Sequence, residues 1–460
     1  MDTFNIQLNE NPALKPIMPL LVLPTVINRT YAEPQELVFL KEFEGAKMCE
    51  QMRKLEKDSK YMDLTKENTM IRNSIRHINY IIKAGTIKTK EKLNEITMGG
   101  ILDMQNNSYF TPRPIVDFMT DLVIKDLNLP KDALILEPSC GNGAFIRPFV
   151  EAGFTNIAGL EHDTLTYLIS SFTNADILQT PFNQLQNNQN KGVLYNSKSF
   201  GDAKANTFDV VIGNPPFSRV LENLNGKNLI LTDFFIAKSI ECLKENGISI
   251  QIVSHKIMEK PMNHPSGNRY GSEIKEYLAN ETELLGAVRV PPVFYNTNIV
   301  TDILVFRKCM MHERGKMDKS WAECQKVLID NTNPNNLKDI SSISIRNKIA
   351  QRGGHSEYFT SDYFAKRPQN IMGVNSFKDN RYCKEYWNLS YQQKKSLEIG
   401  VKSTPEYTKT ITNANGKELP CFEFEKYVKD KQLTLKQFLH GDLSKVFKTP
   451  TQEQSKGKGR

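Results

Sequence analysis

A chain of 460 residues has room for two or three domains, and a hydrophobic content of 39% supports ordinary packed cores, which sets aside fibrous and disordered classes. A formal charge of +8 spread over 112 charged side chains suits a polyanionic partner without requiring one. Seven cysteines, an odd number with no CxxC spacing, fit free thiols in a reducing compartment, and the seven scattered histidines show no metal-ligand spacing.

The most apolar run, Ile17 to Ile27, is eleven residues long with prolines at 19 and 24. That is too short to span a bilayer, and it lacks a basic leader and a cleavage site, so the expectation is a soluble, cytoplasmic protein. Residues 34–96 place Leu37, Leu40, Phe43, Met70, Ile71, Ile75, Ile78 and Ile81 at amphipathic spacing. They read as a helical N-terminal region whose lysines and arginines form a solvated face or, alternatively, touch phosphate backbone.

Ala133 to Glu137 reads as a buried strand, and Pro138-Ser139-Cys140-Gly141-Asn142-Gly143 turns it into a helix. Glycines at 141 and 143 allow backbone to approach a ligand closely, and the helix start would offer amides there. The run lacks the full GxGxxG of dinucleotide binders, which argues against NAD or FAD. The next strand, Asn156 to Leu160, ends in Glu161-His162-Asp163, about twenty residues past the glycine turn, where an acid that grips ribose hydroxyls belongs. Glu161 is therefore the expected ribose ligand, while the ring of His162 either lies along the cofactor's adenine or faces solvent. A third polar strand end, Asn174 to Leu178, offers Asp176, with Ile177 beside it, for the adenine's amino edge.

Val210-Val211-Ile212 is short, β-branched and flanked by turn formers, as in a strand buried on both faces of a parallel sheet. Asn214-Pro215-Pro216-Phe217 follows it directly, and in open α/β sheets ligands bind beyond the carboxyl ends of the strands. An exocyclic amine on a nucleobase is a poor nucleophile because its lone pair is delocalised into the ring. The amide oxygen of Asn214 and the carbonyl of Pro215 can each accept one N–H of such an amine. Pro216 has no N–H to compete and a fixed φ, and Phe217 supplies a flat face for an extruded base.

Farther along, Thr232 to Leu243 predicts a helix and Gly247 to Ser254 a fifth strand. Leu284 to Val290 and Thr301 to Arg307 predict a hairpin around Pro291-Pro292-Val293-Phe294-Tyr295-Asn296. From about residue 311 the chain turns irregular, with an Asn-rich stretch at 331–336. Residues 375–448 mix aromatic and basic side chains such as Tyr382, Trp387, Lys394 and Lys395, a composition that suits DNA contact and a small core equally. Thr449 to Arg460 is a short basic tail expected to be disordered.

The order Glu-Pro-Ser-Cys-Gly-Asn-Gly-Ala-Phe (137–145), Gly-Leu-Glu-His-Asp (159–163), Asn-Ala-Asp-Ile-Leu (174–178), Asn-Pro-Pro-Phe (214–217) resembles the S-adenosylmethionine-dependent γ-class N6-adenine DNA methyltransferases of restriction-modification systems, phages and plasmids. The resemblance covers about residues 99–310. It implies a Rossmann-like α/β domain with a seven-stranded sheet, flanked by the helical region at 1–98, a mixed C-terminal region at 311–448 and the tail at 449–460 that the residues themselves predict. It further implies that Tyr109-Phe110-Thr111-Pro112 closes over the methionine end of the cofactor. Glu137, Pro138, Ser139, Cys140, Gly141 and Gly143 join Glu161, His162, Asp176 and Ile177 in holding that cofactor, and Phe294 and Tyr295 make a second aromatic wall for the base. Ser139 stands where the family often has Ala. About 38 residues separate Asp176 from Asn214, too few and too polar for a sequence-reading domain, so recognition falls to the C-terminal region or to a specificity or restriction partner protein. The implied activity is transfer of a methyl group to the N6 amine of a flipped-out adenine in double-stranded DNA. Methylation of an RNA amine or a protein glutamine, and a non-catalytic DNA-binding or anti-restriction role, are the alternatives. The segment Ser356 to Gly373 is similar to one that follows the catalytic domain in large polypeptides of this family, where its role is not legible from sequence.

Overall fold

The computed structural model describes residues 111–141, 143–162, 175–179, 182, 206–218, 220–262, 273–294, 298–337, 347, 350–351, 354–378, 398–412 and 418–447. The expected helical region at 1–98, Tyr109, Phe110, Asn142, Tyr295 and the tail at 449–460 lie outside the described residues. The elements of the first part of the chain are α1 (Arg113–Asp121), β1 (Leu134–Glu137), α2 (Ile146–Glu151), β2 (Asn156–Glu161), β3 (Asp176–Gln179) and β4 (Phe208–Gly213). They continue with β5 (Leu221–Leu224), β6 (Lys227–Ile230), α3 (Leu231–Cys242), β7 (Leu243–Ser254), α4 (Lys256–Glu259), α5 (Glu273–Glu281), β8 (Thr282–Val290) and β9 (Thr301–Lys308). The C-terminal elements are β10 (Cys324–Asp330), β11 (His355–Ser361), α6 (Asp362–Lys366), β12 (Val374–Lys378), β13 (Glu398–Lys402), β14 (Thr408–Thr412), β15 (Glu418–Phe422) and α7 (Phe424–Asp430).

A seven-stranded mixed sheet runs in the order β3-β2-β1-β4-β7-β9-β8, the α/β architecture expected from the strand and helix alternation. The chain divides into two compact units: Met1–Asn214 with Phe294–Thr297 and Thr410–Leu419, and Pro215–Val293 with Asn298–Lys409 and Pro420–Arg460.

In the first unit β3, β2, β1 and β4 are parallel, with Ile135 opposite Ile157 and Val210. Val210, Val211 and Ile212 are fully buried, as the unbroken apolar run requires when both faces of a strand are covered. Asp209 Oδ2 accepts the amide of Leu134 at 2.9 Å and so closes the first rung of β1. α1 follows Pro112 as its N-cap and carries Pro114 in its first turn, where the missing N–H has no helical partner to lose, and it buries Ile115, Val116, Phe118 and Met119 on one face.

In the second unit β7, β9 and β8 are antiparallel, with Ile250 opposite Val305 and Ala287 opposite Leu304. β8 lies at the edge of the sheet and carries an irregularity between Leu284 and Gly286. There the carbonyl of Leu285 accepts the amides of His440 (2.8 Å) and Gly441 (3.0 Å). Asn370 Nδ2 donates to the carbonyls of Ala287 (2.7 Å) and Phe438 (3.0 Å), and Met372 N donates to Arg289 O (2.9 Å). Ala287 N in turn donates to the Tyr363 hydroxyl at 3.0 Å. The Ser356–Gly373 segment thus has a definite structural role, since together with residues 438–441 it covers the outer edge of β8 at Leu285, Ala287 and Arg289. Among the described residues no helix is long and apolar enough to cross a membrane.

Candidate active site

The glycine turn is built from its own backbone. Gly141 and Gly143 take φ of 54° and 80°, a region that glycine enters without a Cβ penalty. Cys140 N donates to Leu160 O at 2.8 Å, which ties the turn to the end of β2. Gly141 N donates to Glu161 Oε2 at 2.9 Å and Gly143 N to Cys140 O at 2.8 Å. Three amides of the turn are thus engaged, those of Cys140 and Gly141 by the end of β2 and that of Gly143 by Cys140, and α2, six residues long, starts only at Ile146. Among the groups beside the turn are two carboxyls.

Glu137 is the first of them. Its side chain is 2% exposed, and a Cβ on Gly213 would come within 3.0 Å of its Oε1, so the carboxyl lies flat against the glycine that ends β4. Oε2 has no hydrogen-bond partner among the described residues. Burial, reinforced by the like charge of Glu161, pushes this carboxyl well above the usual carboxylate range. Thr111 Oγ1 is likewise buried and without a hydrogen-bond partner among the described residues, whereas Pro112 is the N-cap of α1. A buried carboxyl with no opposite charge beside it and a hydroxyl with no hydrogen bond are acceptors that suit a cationic ligand bearing N–H groups.

Ser139 Oγ donates to the backbone carbonyl of Asn214 at 3.2 Å. The hydroxyl that replaces the family's frequent Ala thus links the glycine turn to Asn214. Pro138 and Cys140 are buried beneath the turn. Glu161 is half-buried at the end of β2, and His162 after it is exposed.

Asp176 is placed differently from the sequence reading. It opens β3 rather than closing it, paired with Ala158, and Gln179 stands level with Glu161. Ile177 Cδ1 would lie 2.6 Å from a Cβ on Gly159, beside Ile146 and Cys140, so Ile177 packs over the glycine of β2.

In the second unit Pro215 is buried and Pro216 O accepts the hydroxyl of Thr232 at 2.7 Å, which pins the diproline to the first turn of α3. Phe217 is half-buried. Phe294, which belongs to the first unit, is 2% exposed, so the second aromatic wall is a core side chain here and presents no open face.

The sequence model described as N-6 DNA Methylase matches residues 95–352, more than half of the chain. This chain belongs to the N-6 DNA Methylase family. It is 27% identical over 355 residues to the type II methyltransferase M.HincII of Haemophilus influenzae, covering 70% of this chain and 60% of that protein. Against the type II methyltransferase M.HindII of Haemophilus influenzae strain Rd it is 28% identical over 311 residues, covering 63% of this chain and 49% of that one. The chain therefore spans only about half to three fifths of the length of these relatives. Among solved structures, a modification subunit of a putative type I restriction enzyme from Vibrio vulnificus is 16% identical with a TM-score of 0.38, covering 78% of this chain and 72% of that one. The type I methyltransferase subunit from Streptococcus thermophilus is 15% identical with a TM-score of 0.39, covering 74% and 79%.

For this N-6 DNA methylase family member the structure adds residues that the motifs did not single out. Thr232 fixes the diproline, Asp209 caps β1, and the pair Arg289–Asp302 is a buried bidentate bridge at 2.8 and 2.9 Å, with Glu259 on the same guanidinium. Threonine at the start of a predicted helix is a signal that could have been read for Thr232. No sequence signal marks the Arg289–Asp302 pair, because its partners meet only through β8–β9 register.

Proposed function

We propose that this chain transfers a methyl group from S-adenosylmethionine to the N6 amine of an adenine flipped out of double-stranded DNA at a specific sequence. The observation that supports it most is the coupling of Ser139 and Glu137, both of the glycine turn, to Asn214 and Gly213 of the Asn-Pro-Pro-Phe strand end. The turn that would hold the cofactor and the residue that would hold the amine are locked side by side.

When bound, S-adenosylmethionine supplies an electrophilic methyl on a positively charged sulfur. Glu137 and Thr111 would hold its charged amino-acid end, and Glu161, with its rotamer fixed by the Gly141 amide, would take ribose hydroxyls. Asp176 and Ile177 would border the adenine. Asn214 Oδ1 and Pro215 O would each accept one N–H of the target amine, which localises its lone pair on nitrogen and makes it nucleophilic. No strong general base is required. Phe217 would stack the extruded base, offsetting part of an unstacking cost of roughly a few kcal/mol.

The test is modified-base sequencing of DNA from cells expressing this chain beside an Asn214→Ala control, with S-adenosylmethionine binding measured on both purified proteins. N6-methyladenine at one short motif, absent in the control although cofactor affinity is kept, is the expected result. Full marking by the Asn214→Ala protein would overturn the assignment of the amine ligand. Cofactor binding without any marks would point to a missing specificity partner, and marks in RNA alone would overturn the substrate.

A further inference from the structure

The thirteen residues after Phe217 contain a β-hairpin that the motifs leave unread. β5 and β6 pair antiparallel, with Leu221 opposite Ile230 and Leu224 opposite Lys227. Asn225 and Gly226 join them at φ of 52° and 85°, the paired left-handed conformation of a two-residue turn that matches strand twist. A lone two-stranded hairpin is marginal in water, but this one is fastened to α3. Leu224 and Leu229 are buried, Asn225 Nδ2 donates to Glu241 Oε1 at 2.6 Å, and Leu231 N donates to Val220 O at 2.8 Å. Asn223 Nδ2 also bridges to Asn228 Oδ1 at 3.0 Å.

On this fastened frame Val220 and Leu221 are 57% and 61% exposed. Among the described residues they are the one consecutive pair of exposed large apolar side chains; Met311, Leu328 and Val374 stand singly. They sit at the root of the hairpin rather than its tip, and Val220 is three residues past Phe217, within about 11 Å of it even if the chain is fully extended. Two side chains cannot supply the roughly 800 Å² per partner that a stable dimer buries, and their neighbours Asn223, Lys227 and Asn228 are polar and exposed, which does not suit a second copy.

The geometry points to Val220 and Leu221 as an apolar wedge that enters the DNA stack and fills the space left by the target adenine. This rests on the proposed adenine flipping. Extrusion breaks stacking on both sides of the base, and an apolar side chain slid between base steps replaces part of that contact. A wedge must be stiff to do this, because a mobile one loses conformational freedom on entry. The hairpin's ties to α3 provide the stiffness.

Single-turnover methylation by the full chain and by a Val220→Ser/Leu221→Ser double variant tests the proposal, on a duplex bearing the mapped motif and on the same duplex with an abasic site opposite the target adenine. Both side chains are exposed, so the variant should fold, and an unchanged melting temperature checks this. The expected result is a loss of about tenfold on the paired duplex that recovers to within about twofold of wild type on the abasic one, where extrusion costs less. An equal loss on both duplexes, or none on the paired one, overturns the wedge. Wild-type protein that binds no S-adenosylmethionine, or that methylates RNA alone, overturns the proposed function itself, and the wedge with it.

Discussion

Glu137 in the first unit and Arg289 in the second are both withdrawn from water, and their surroundings differ in kind. Arg289 meets Asp302 through two hydrogen bonds, Glu259 through a third, and lies with its guanidinium 4.1 Å from the centre of the Phe364 ring. Glu137 has an oxygen without a hydrogen bond, and the charge that acts on it is the like charge of Glu161. Burying an ion is tolerable when opposite charge and hydrogen bonds surround it, and otherwise the group gives up its charge. Arg289 is thus committed to architecture. Glu137 carries a cost that a ligand of opposite charge would return.

The sharpest way to break this contrast is to remove one partner from the committed side. Asp302→Ala leaves Arg289 buried and half compensated, and should lower stability by about 3–5 kcal/mol. The measurement is the urea midpoint, and a loss smaller than that of an average core substitution would mean that Arg289 finds water.

On the other side, Glu137→Gln keeps the shape and removes the titration. Because the folded carboxyl titrates well above its ordinary value of 4.5, the unfolded chain ionises first as pH rises. Stability of the cofactor-free protein should therefore be full below about pH 4.5 and decline upward through the raised value, and the Gln variant should flatten that slope and melt higher at neutral pH. The same variant should bind S-adenosylmethionine more weakly by about 1–3 kcal/mol, through loss of a charged hydrogen-bond acceptor. Calorimetry in two buffers of different ionisation enthalpy should also show proton release on cofactor binding to wild type and none to Glu137→Gln. A wild-type protein that releases no proton would remove Glu137 from the cofactor's contacts.

Smaller effects should follow from the tethers. Thr232→Val removes the hydrogen bond to Pro216 O, worth about 1 kcal/mol, and should lower kcat more than it raises KM for DNA. Gly226→Ala forces a side chain into a left-handed backbone at a cost of about 1 kcal/mol, seen as a small drop in melting temperature.

What was legible in the sequence follows from range. The strand ends at Glu137, Glu161 and Asn214 could be read because each is a local event: an apolar run stopped by turn formers. Asp176 was misplaced because a four-residue strand takes its register from its neighbour, and pairing with β2 puts Asp176 at the opening of the strand. Phe294 reads as a second aromatic wall on the strength of a loop motif, yet it is 2% exposed, and burial is not legible in a local pattern. Asn225-Gly226 between apolar residues was a readable hairpin signal overshadowed by the stronger motif before it. The bracing of β8 by Asn370, Met372, His440 and Gly441 joins positions more than 80 residues apart, and no pattern in the sequence announces it.

That bracing bears on how the protein can be handled. A chain cut after β9 would keep every residue assigned to chemistry and would still be a poor object for study. It would strip the cover from β8 and leave its carbonyls and amides open along an apolar strand, which invites pairing with the same strand of another molecule. Activity should therefore be sought with the chain kept through Val446, and precipitation of shorter fragments would reflect an uncapped sheet rather than a missing recognition function.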